Sequence, residues 1–246
     1  MSNFFNIDNP FFRFMGHVAD LVILNFLCLI CCIPIVTIGA SLTATYYVAL
    51  KKVRGEESYI VKSFFKAFKE NFKQSTIIWL IFLVFGMIMA LDFRIIAAMD
   101  TAIATFLRCS LTAILFIGLI ILLYVFPVLA RFYNTTKATL KNAVLMSIRH
   151  LPYTILMIAI TIGCVFLTFV SDVTFAYGIL IWLMIGFSLL IFIHSYFFRK
   201  IFDKYTPPEE TGTSEEIPLT PEQESLLAGI TPIPKENEQK NPKSLH

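Results

Sequence analysis

The sequence predicts an all-α fold, a polytopic transmembrane helical bundle, on three observations. Hydrophobic residues form 57% of the 246-residue chain, charged residues 15%, and the mean hydropathy is +0.74, a balance no water-soluble core and shell would show. Four runs lack Asp, Glu, Lys and Arg: Ser75 to Leu91, Cys109 to Ala130, Leu151 to Ser171 and Val173 to Phe198. Each approaches or exceeds the roughly 20 residues a helix needs to cross about 30 Å of hydrocarbon. No ten-residue alternation of a membrane barrel is present, and in lipid a helix satisfies its own backbone. The expected bundle has six helices, five long spans plus a shorter second helix, with a cytoplasmic interfacial amphipathic helix.

The first apolar stretch, Gly16 to Leu50, holds only His17 and Asp20 as charge-bearing positions. Thirty-five residues at about 1.5 Å each would reach some 52 Å, too long for one straight span. The break falls at Pro34, Ile35, Val36, Thr37, Ile38, Gly39, where proline cannot donate to a helix and glycine permits reversal. A hairpin follows, with a span from about His17 to Ile33 and a shorter helix from about Ala40 to Arg54. The alternative is one span followed by a surface helix. The small and polar run Thr37, Gly39, Ala40, Ser41, Thr43, Ala44, Thr45 suits close helix contact, within the hairpin or between subunits.

Next comes a strongly basic stretch. Lys51 to Gln74 holds Lys51, Lys52, Arg54, Lys62, Lys66, Lys69 and Lys73. At 100° per residue the last four lysines fall within about 60° of one another, while Val61, Phe64, Phe65, Phe68 and Phe72 gather opposite. That pattern predicts a helix lying in the interface as a lipid anchor, its phenylalanines at the acyl boundary and Lys62, Lys66, Lys69 and Lys73 toward anionic headgroups or an acidic partner. Past Leu91, the charges Asp92, Arg94 and Arg108 mark a membrane boundary. A second basic segment, Arg131 to His150, repeats Leu140, Val144 and Ile148 at fours before entering the next span. A faint similarity at an offset of 79 aligns Glu70-Asn71-Phe72 with Arg149-His150-Leu151; duplication and shared membrane composition both account for it.

Lys and Arg in short loops orient the chain. Both basic segments belong in the cytoplasm, and the last helix exits at Arg199 and Lys200, so the expected location is the cell membrane, multi-pass, with a cytoplasmic carboxyl terminus. Six helices put the amino terminus inside as well; five would leave it outside. Residues 1–202 carry 16 Lys and Arg against 8 Asp and Glu, residues 203–246 only 4 against 9. The organisation is therefore a transmembrane domain, 1–202, and an acidic tail, 203–246, which holds seven of the eleven prolines and is expected to be disordered. Its short apolar stretch Leu226, Leu227, Ala228, Ile230 is either passive or a segment that folds on a partner.

No catalytic motif is visible: there is no phosphate-cradling glycine loop, paired-histidine zinc helix or serine elbow. An enzyme is not expected, nor a cofactor or metal. Cys28, Cys31 and Cys32 read as small buried residues rather than a redox or metal cluster, which would need deprotonated thiols and a fourth ligand in lipid. His194, deep in the last span, reads as a neutral histidine bonded to a neighbouring helix, or as a functional group. Asp20 needs a partner near the start of the first span, and Arg13, Lys51 or Lys52 would supply it in the hairpin, as a structural ion pair or a gate. The absence of mid-depth carboxylates argues against ion-driven transport.

Phe14, Asp20 and Asn25, preceded by Phe5, Asp8, Asn9 and Pro10 and followed by Pro34 to Ser41 and Tyr46, together with Lys69 to Phe72, Lys141 to Ala143 and Arg149 to Pro152, resemble the YesL-like family of Gram-positive bacterial membrane proteins, a domain family of unknown function. The resemblance covers about residues 4 to 202. It implies a genomic setting beside carbohydrate ABC importers and glycan-degrading enzymes, hence an accessory or regulatory partner of carbohydrate import. The alternatives are a permease-like subunit, although Lys141 to Pro152 lacks the Glu-Ala-Ala opening and following glycine of a coupling helix, and a structural membrane organiser. Expected partners are the anionic cytoplasmic leaflet and importer permease subunits; no nucleic acid is implied.

Overall fold

The computed structural model describes residues 10–56, 59–99 and 101–205. Phe5, Asp8, Asn9, Asp100 and the tail beyond Tyr205, with its Leu226 to Ile230 stretch, lie outside them. The described chain is helical, with no strand among those residues, and five helical segments are long and apolar enough to cross a membrane.

α1 (Pro10–Cys32) starts on a proline, whose missing donor is harmless in a first turn. It stops before Pro34, and a single 3₁₀ turn, Ile35–Thr37, leads into α2 (Ile38–Val53). Thr37 secures this end of α1 by donating its hydroxyl to the carbonyls of Cys31 and Pro34, at 2.6 and 2.8 Å. Ser41 Oγ donates to the Cys28 carbonyl at 2.9 Å, and Lys52 meets Asp20, so α1 and α2 run antiparallel as the expected hairpin.

The short helix is the most enclosed element. Gly39, Ala40, Ser41, Thr43, Ala44, Thr45, Val48 and Ala49 are all buried, because small side chains let α1, α3, α4 and α8 approach its backbone. Gly39 shows how closely: a Cβ there would lie 2.6 Å from the Ser75 carbonyl oxygen and 2.7 Å from Trp79 Cβ. Thr43 and Thr45 return their hydroxyls to the carbonyls of Gly39 and Ser41, at 2.8 Å each, and so need no outside partner.

α3 (Ile60–Ala97) corrects one expectation. The lysine and phenylalanine segment is not a separate interfacial helix; it continues without interruption into the span, 38 residues in all, about 57 Å. From Ile60 to Phe85 there is neither glycine nor proline, so nothing in the sequence ends the helix. Trp79 Nε1 donates to the Ile35 carbonyl at 2.8 Å, which sets the hairpin tip against the middle of α3. Eighteen further residues rise past that level, about 27 Å at 1.5 Å each.

α4 (Ala102–Arg131) returns antiparallel to α3. Gln74 Nε2 donates to the Asn134 carbonyl (2.8 Å) at one end, and Arg108 Nη2 to the Ile96 carbonyl (3.0 Å) at the other. Arg108 thereby caps the last turn of α3 instead of joining a side-chain cluster with Asp92. α5 (Thr136–Arg149) buries Thr139, Ala143, Met146 and Ser147 and leaves Ile148 exposed. α6 is Leu151–Phe169; α7 (Asp172–Ile181), a π-helical turn (Trp182–Gly186) and α8 (Phe187–Phe202) form one rod. Tyr124, Phe126, Phe198 and Phe202 fill the centre around α2, with Tyr46 against the Phe198 ring at 5.9 Å.

Candidate functional site

The chemistry-bearing side chains gather at the basic end of the bundle, where α1, α2, α3 and α8 meet. Of the three cations expected near Asp20, the structure pairs it with Lys52. Lys51 turns elsewhere, 3.8 Å from Glu56 and over the Tyr47 ring at 5.3 Å. Lys52 is the more enclosed partner, with Asp20 on the rim, so the pair closes the open end of the hairpin opposite the Pro34–Gly39 break. Arg13 lies two turns earlier on α1.

A second ionic lock joins α2 to α8. Arg199 Nη1 donates to the Val53 carbonyl at 2.8 Å, and Arg54 Nη2 to Asp203 Oδ1 at 2.9 Å. Cations at the end of α2 also meet the negative pole of its backbone dipole. Nearby, His150 is buried, with Nε2 3.0 Å from the Tyr205 hydroxyl and Arg149 stacked over the same tyrosine ring at 5.6 Å. Burial, followed by the adjacent Lys204 and Arg149 charges, holds the His150 pKa below its ordinary value.

Asn25 is the residue the sequence reading undervalued. Fully buried on α1, it donates Nδ2 to the carbonyls of Trp182 (3.2 Å) and Leu183 (2.7 Å) and accepts the Ser188 amide at Oδ1 (3.0 Å). Ser188 Oγ returns a bond to the Leu21 carbonyl at 2.7 Å. A π turn misplaces backbone groups that an α-helix would pair internally, and a single side-chain amide supplies both the donors and the acceptor. Nothing local to Trp182–Gly186 announced this; the signal was an amide inside an apolar run, which needs a partner across the bundle.

The expected lipid anchor divides. Lys62, Lys66, Lys69 and Lys73 are exposed along one ridge of α3, and Phe65 and Phe72 are exposed beside them. Phe64 is corrected from anchor to core: it is wholly buried against Leu24, Ala44, Val48 and Ala67, because the first turns of α3 pack on the hairpin. Phe68 is half-buried at the edge of that cluster. On the same outward stripe of α3, Ile77, Ile81, Val84, Ile88 and Leu91 replace the lysines.

Cys28, Cys31 and Cys32 are free thiols, and among the described residues no three or more His, Cys, Asp or Glu are placed to hold a metal. His194 is buried, with Nε2 3.2 Å from Thr161 Oγ1 on α6. The arrangement provides ionic closure, a clamped irregular turn and an exposed cationic ridge.

Residues 21–93, from the middle of α1 to the far part of α3, match the family described as "Protein of unknown function, DUF624". Over 127 residues the chain is 27% identical to the uncharacterized protein YteU of Bacillus subtilis (strain 168). That alignment covers 51% of this chain and 57% of YteU, so it spans little more than half of the relative. No solved structure matches. Both findings agree with the YesL-like resemblance, and the matched segment holds the second half of α1, the break, α2 and the lysine ridge.

Proposed function

We propose that this chain, a bacterial-type membrane protein whose residues 21–93 are a DUF624 segment, is an accessory or regulatory partner of a carbohydrate ABC importer, with its basic end in the cytoplasm. One observation carries the reading: α3 is a single helix that begins as an exposed lysine ridge and ends as an apolar span. A helix of that kind joins a cytoplasmic docking surface rigidly to the membrane body, while the centre of the bundle is filled by aromatic side chains rather than by a polar path for sugar. The genomic setting that the family resemblance implies supplies the importer.

Copurification tests it. From gentle detergent the full chain should bring down an importer permease, and its deletion should change sugar uptake only in cells that hold that importer. Exchanging Lys62, Lys66, Lys69 and Lys73 for glutamine should weaken that recovery and binding to anionic vesicles, each charge near a headgroup surface being worth about 1 kcal/mol. Recovery of the chain alone with unaltered uptake would count against the proposal.

A permease-like subunit is the second reading, favoured by α5. This short helix between two spans turns Lys137, Lys141, Leu145 and Ile148 outward on one face, as a helix seated in a soluble partner's groove would. Sugar transport in liposomes holding the chain and an ATPase subunit, uncoupled by Lys141→Glu, would select it.

A further inference from the structure

A cavity of about 440 Å³ opens between α4 and α6, with α2 and α8 at its back. Its walls are Leu42, Phe116, Ile120, Ile158 and Ile162, among other aliphatic and aromatic side chains, and no charged residue lines it. Two hydroxyls interrupt the apolar lining. Thr161 Oγ1 donates to the Met157 carbonyl at 2.9 Å and takes a second contact from His194 Nε2. Tyr46 is different: it is 6% exposed, it lines the cavity, and its hydroxyl bonds to none of the described residues.

A phenol held among hydrocarbon side chains without a partner forfeits about 1–3 kcal/mol relative to a paired one. On α2, where Thr43, Thr45 and Ser41 all bond to carbonyls, the Tyr46 hydroxyl stands out. The rim residues Phe116 and Ile162 are exposed on segments apolar enough to cross a membrane, so the mouth faces lipid and not water.

We propose that this cavity binds an uncharged lipid, a long-chain alcohol or acylglycerol, whose chain lies along α4 and α6 and whose head oxygen hydrogen-bonds Tyr46. The walls exclude charged headgroups, which would leave water for a lining with no counter-charge, whereas one neutral oxygen costs little once paired. The site is independent of the lysine ridge and of any importer.

Photolabelling of the full chain in phosphatidylcholine nanodiscs with a C16 alcohol carrying a diazirine and an alkyne decides the matter. Label should map to residues 116–126 and 158–162, and excess oleyl alcohol should compete it away. Tyr46→Phe should lower the competed signal about fivefold, the equivalent of one hydrogen bond of ~1 kcal/mol, with an unchanged melting temperature. Ile162→Trp, which plugs the mouth from an exposed rim position, should abolish the signal and decides the case if Tyr46→Phe disturbs folding. Label insensitive to both substitutions, label spread evenly over the outward faces of α3 and α7, or equal competition by hexadecyl sulfate would overturn the proposal.

Discussion

The two ends of this bundle are built differently. At the basic end, α2 is surrounded on all sides, Phe64, Tyr124, Phe198 and Phe202 are fully buried, and amide, hydroxyl and ionic contacts tie α1 to α2 and α8. Toward the far end α3 buries only Ile96 after Ile78, and α7 buries nothing. Lipid tails are as apolar as leucine, so helix association in a membrane relies on close packing and polar contacts rather than on hydrophobic driving force. The basic end has both; the far end presents aliphatic side chains that lipid solvates equally well. Fold specification is therefore concentrated at the basic end, around α2.

Removing a side chain that only the basic end encloses tests this most severely. Phe64→Ala leaves a cavity between the hairpin and α3, and about 3–5 kcal/mol of stability should be lost in reversible detergent unfolding. A loss below 1 kcal/mol would place Phe64 in lipid after all. Next comes Asn25→Leu, which keeps volume but strands the carbonyls of Trp182 and Leu183. With interhelical bonds in membranes worth about 0.6 kcal/mol on average and up to ~1.7, three bonds predict a loss of about 2–3 kcal/mol. Faster hydrogen exchange confined to residues 182–188 would identify the π turn as the part released.

Much of the basic end was legible in the sequence, and the reason is physical. Pro34 dictates a break whatever surrounds it, and Asp20 in an apolar run demands a cation, so hairpin and ion pair could be read locally; Gly39, expected to permit the reversal, lies instead inside α2, where it admits the backbone of α3. The single length of α3 could not be read the same way. A change of composition at Lys73 looks like a change of element, yet helix continuity depends on backbone formers and not on which solvent the outward face meets. Phe64 failed for a related reason: helical period puts it on a face with Phe65 and Phe68, but only the packed hairpin decides which of the three is enclosed. Asn25 and the unpartnered Tyr46 depend on residues more than a hundred positions away or on a cavity, and periodicity carries no trace of either.

The ionic closure sharpens the comparison at intermediate cost. Asp20→Asn leaves Lys52 enclosed without its counter-ion, and a loss of about 1–2 kcal/mol is expected, between the values of exposed and buried pairs. In a double-mutant cycle with Lys52→Met, most of that loss should vanish when the cation is also removed; additive effects would show that the two groups act separately. Smaller still is the His150 contribution. Because burial and the Lys204 and Arg149 charges lower its pKa in the fold, the unfolded chain takes up a proton at a higher pH than the folded one. His150 stability is thus present above the unfolded value of about 6.5 and is lost as pH falls through the folded value. The fall in melting temperature between pH 7.5 and pH 5 should be shallower in His150→Gln, which retains a polar contact for Tyr205; an unchanged slope would mean the imidazole titrates freely.

The smallest effect belongs to the far end and separates the two halves most cleanly. Phe166 on α6 is 68% exposed, chemically identical to Phe64 and carried by an equally regular helix. In water, truncating an exposed phenylalanine removes apolar surface that the fold never hid; in lipid, the ring's contacts are handed to acyl chains in the folded and unfolded states alike. Phe166→Ala should therefore change stability by less than about 0.5 kcal/mol, the usual range for a substitution away from packed or bonded groups. If it instead costs as much as Phe64→Ala, the outward face of α6 is covered by protein in the native membrane. The partner seated there would supply the far end with the packing that this chain alone does not provide.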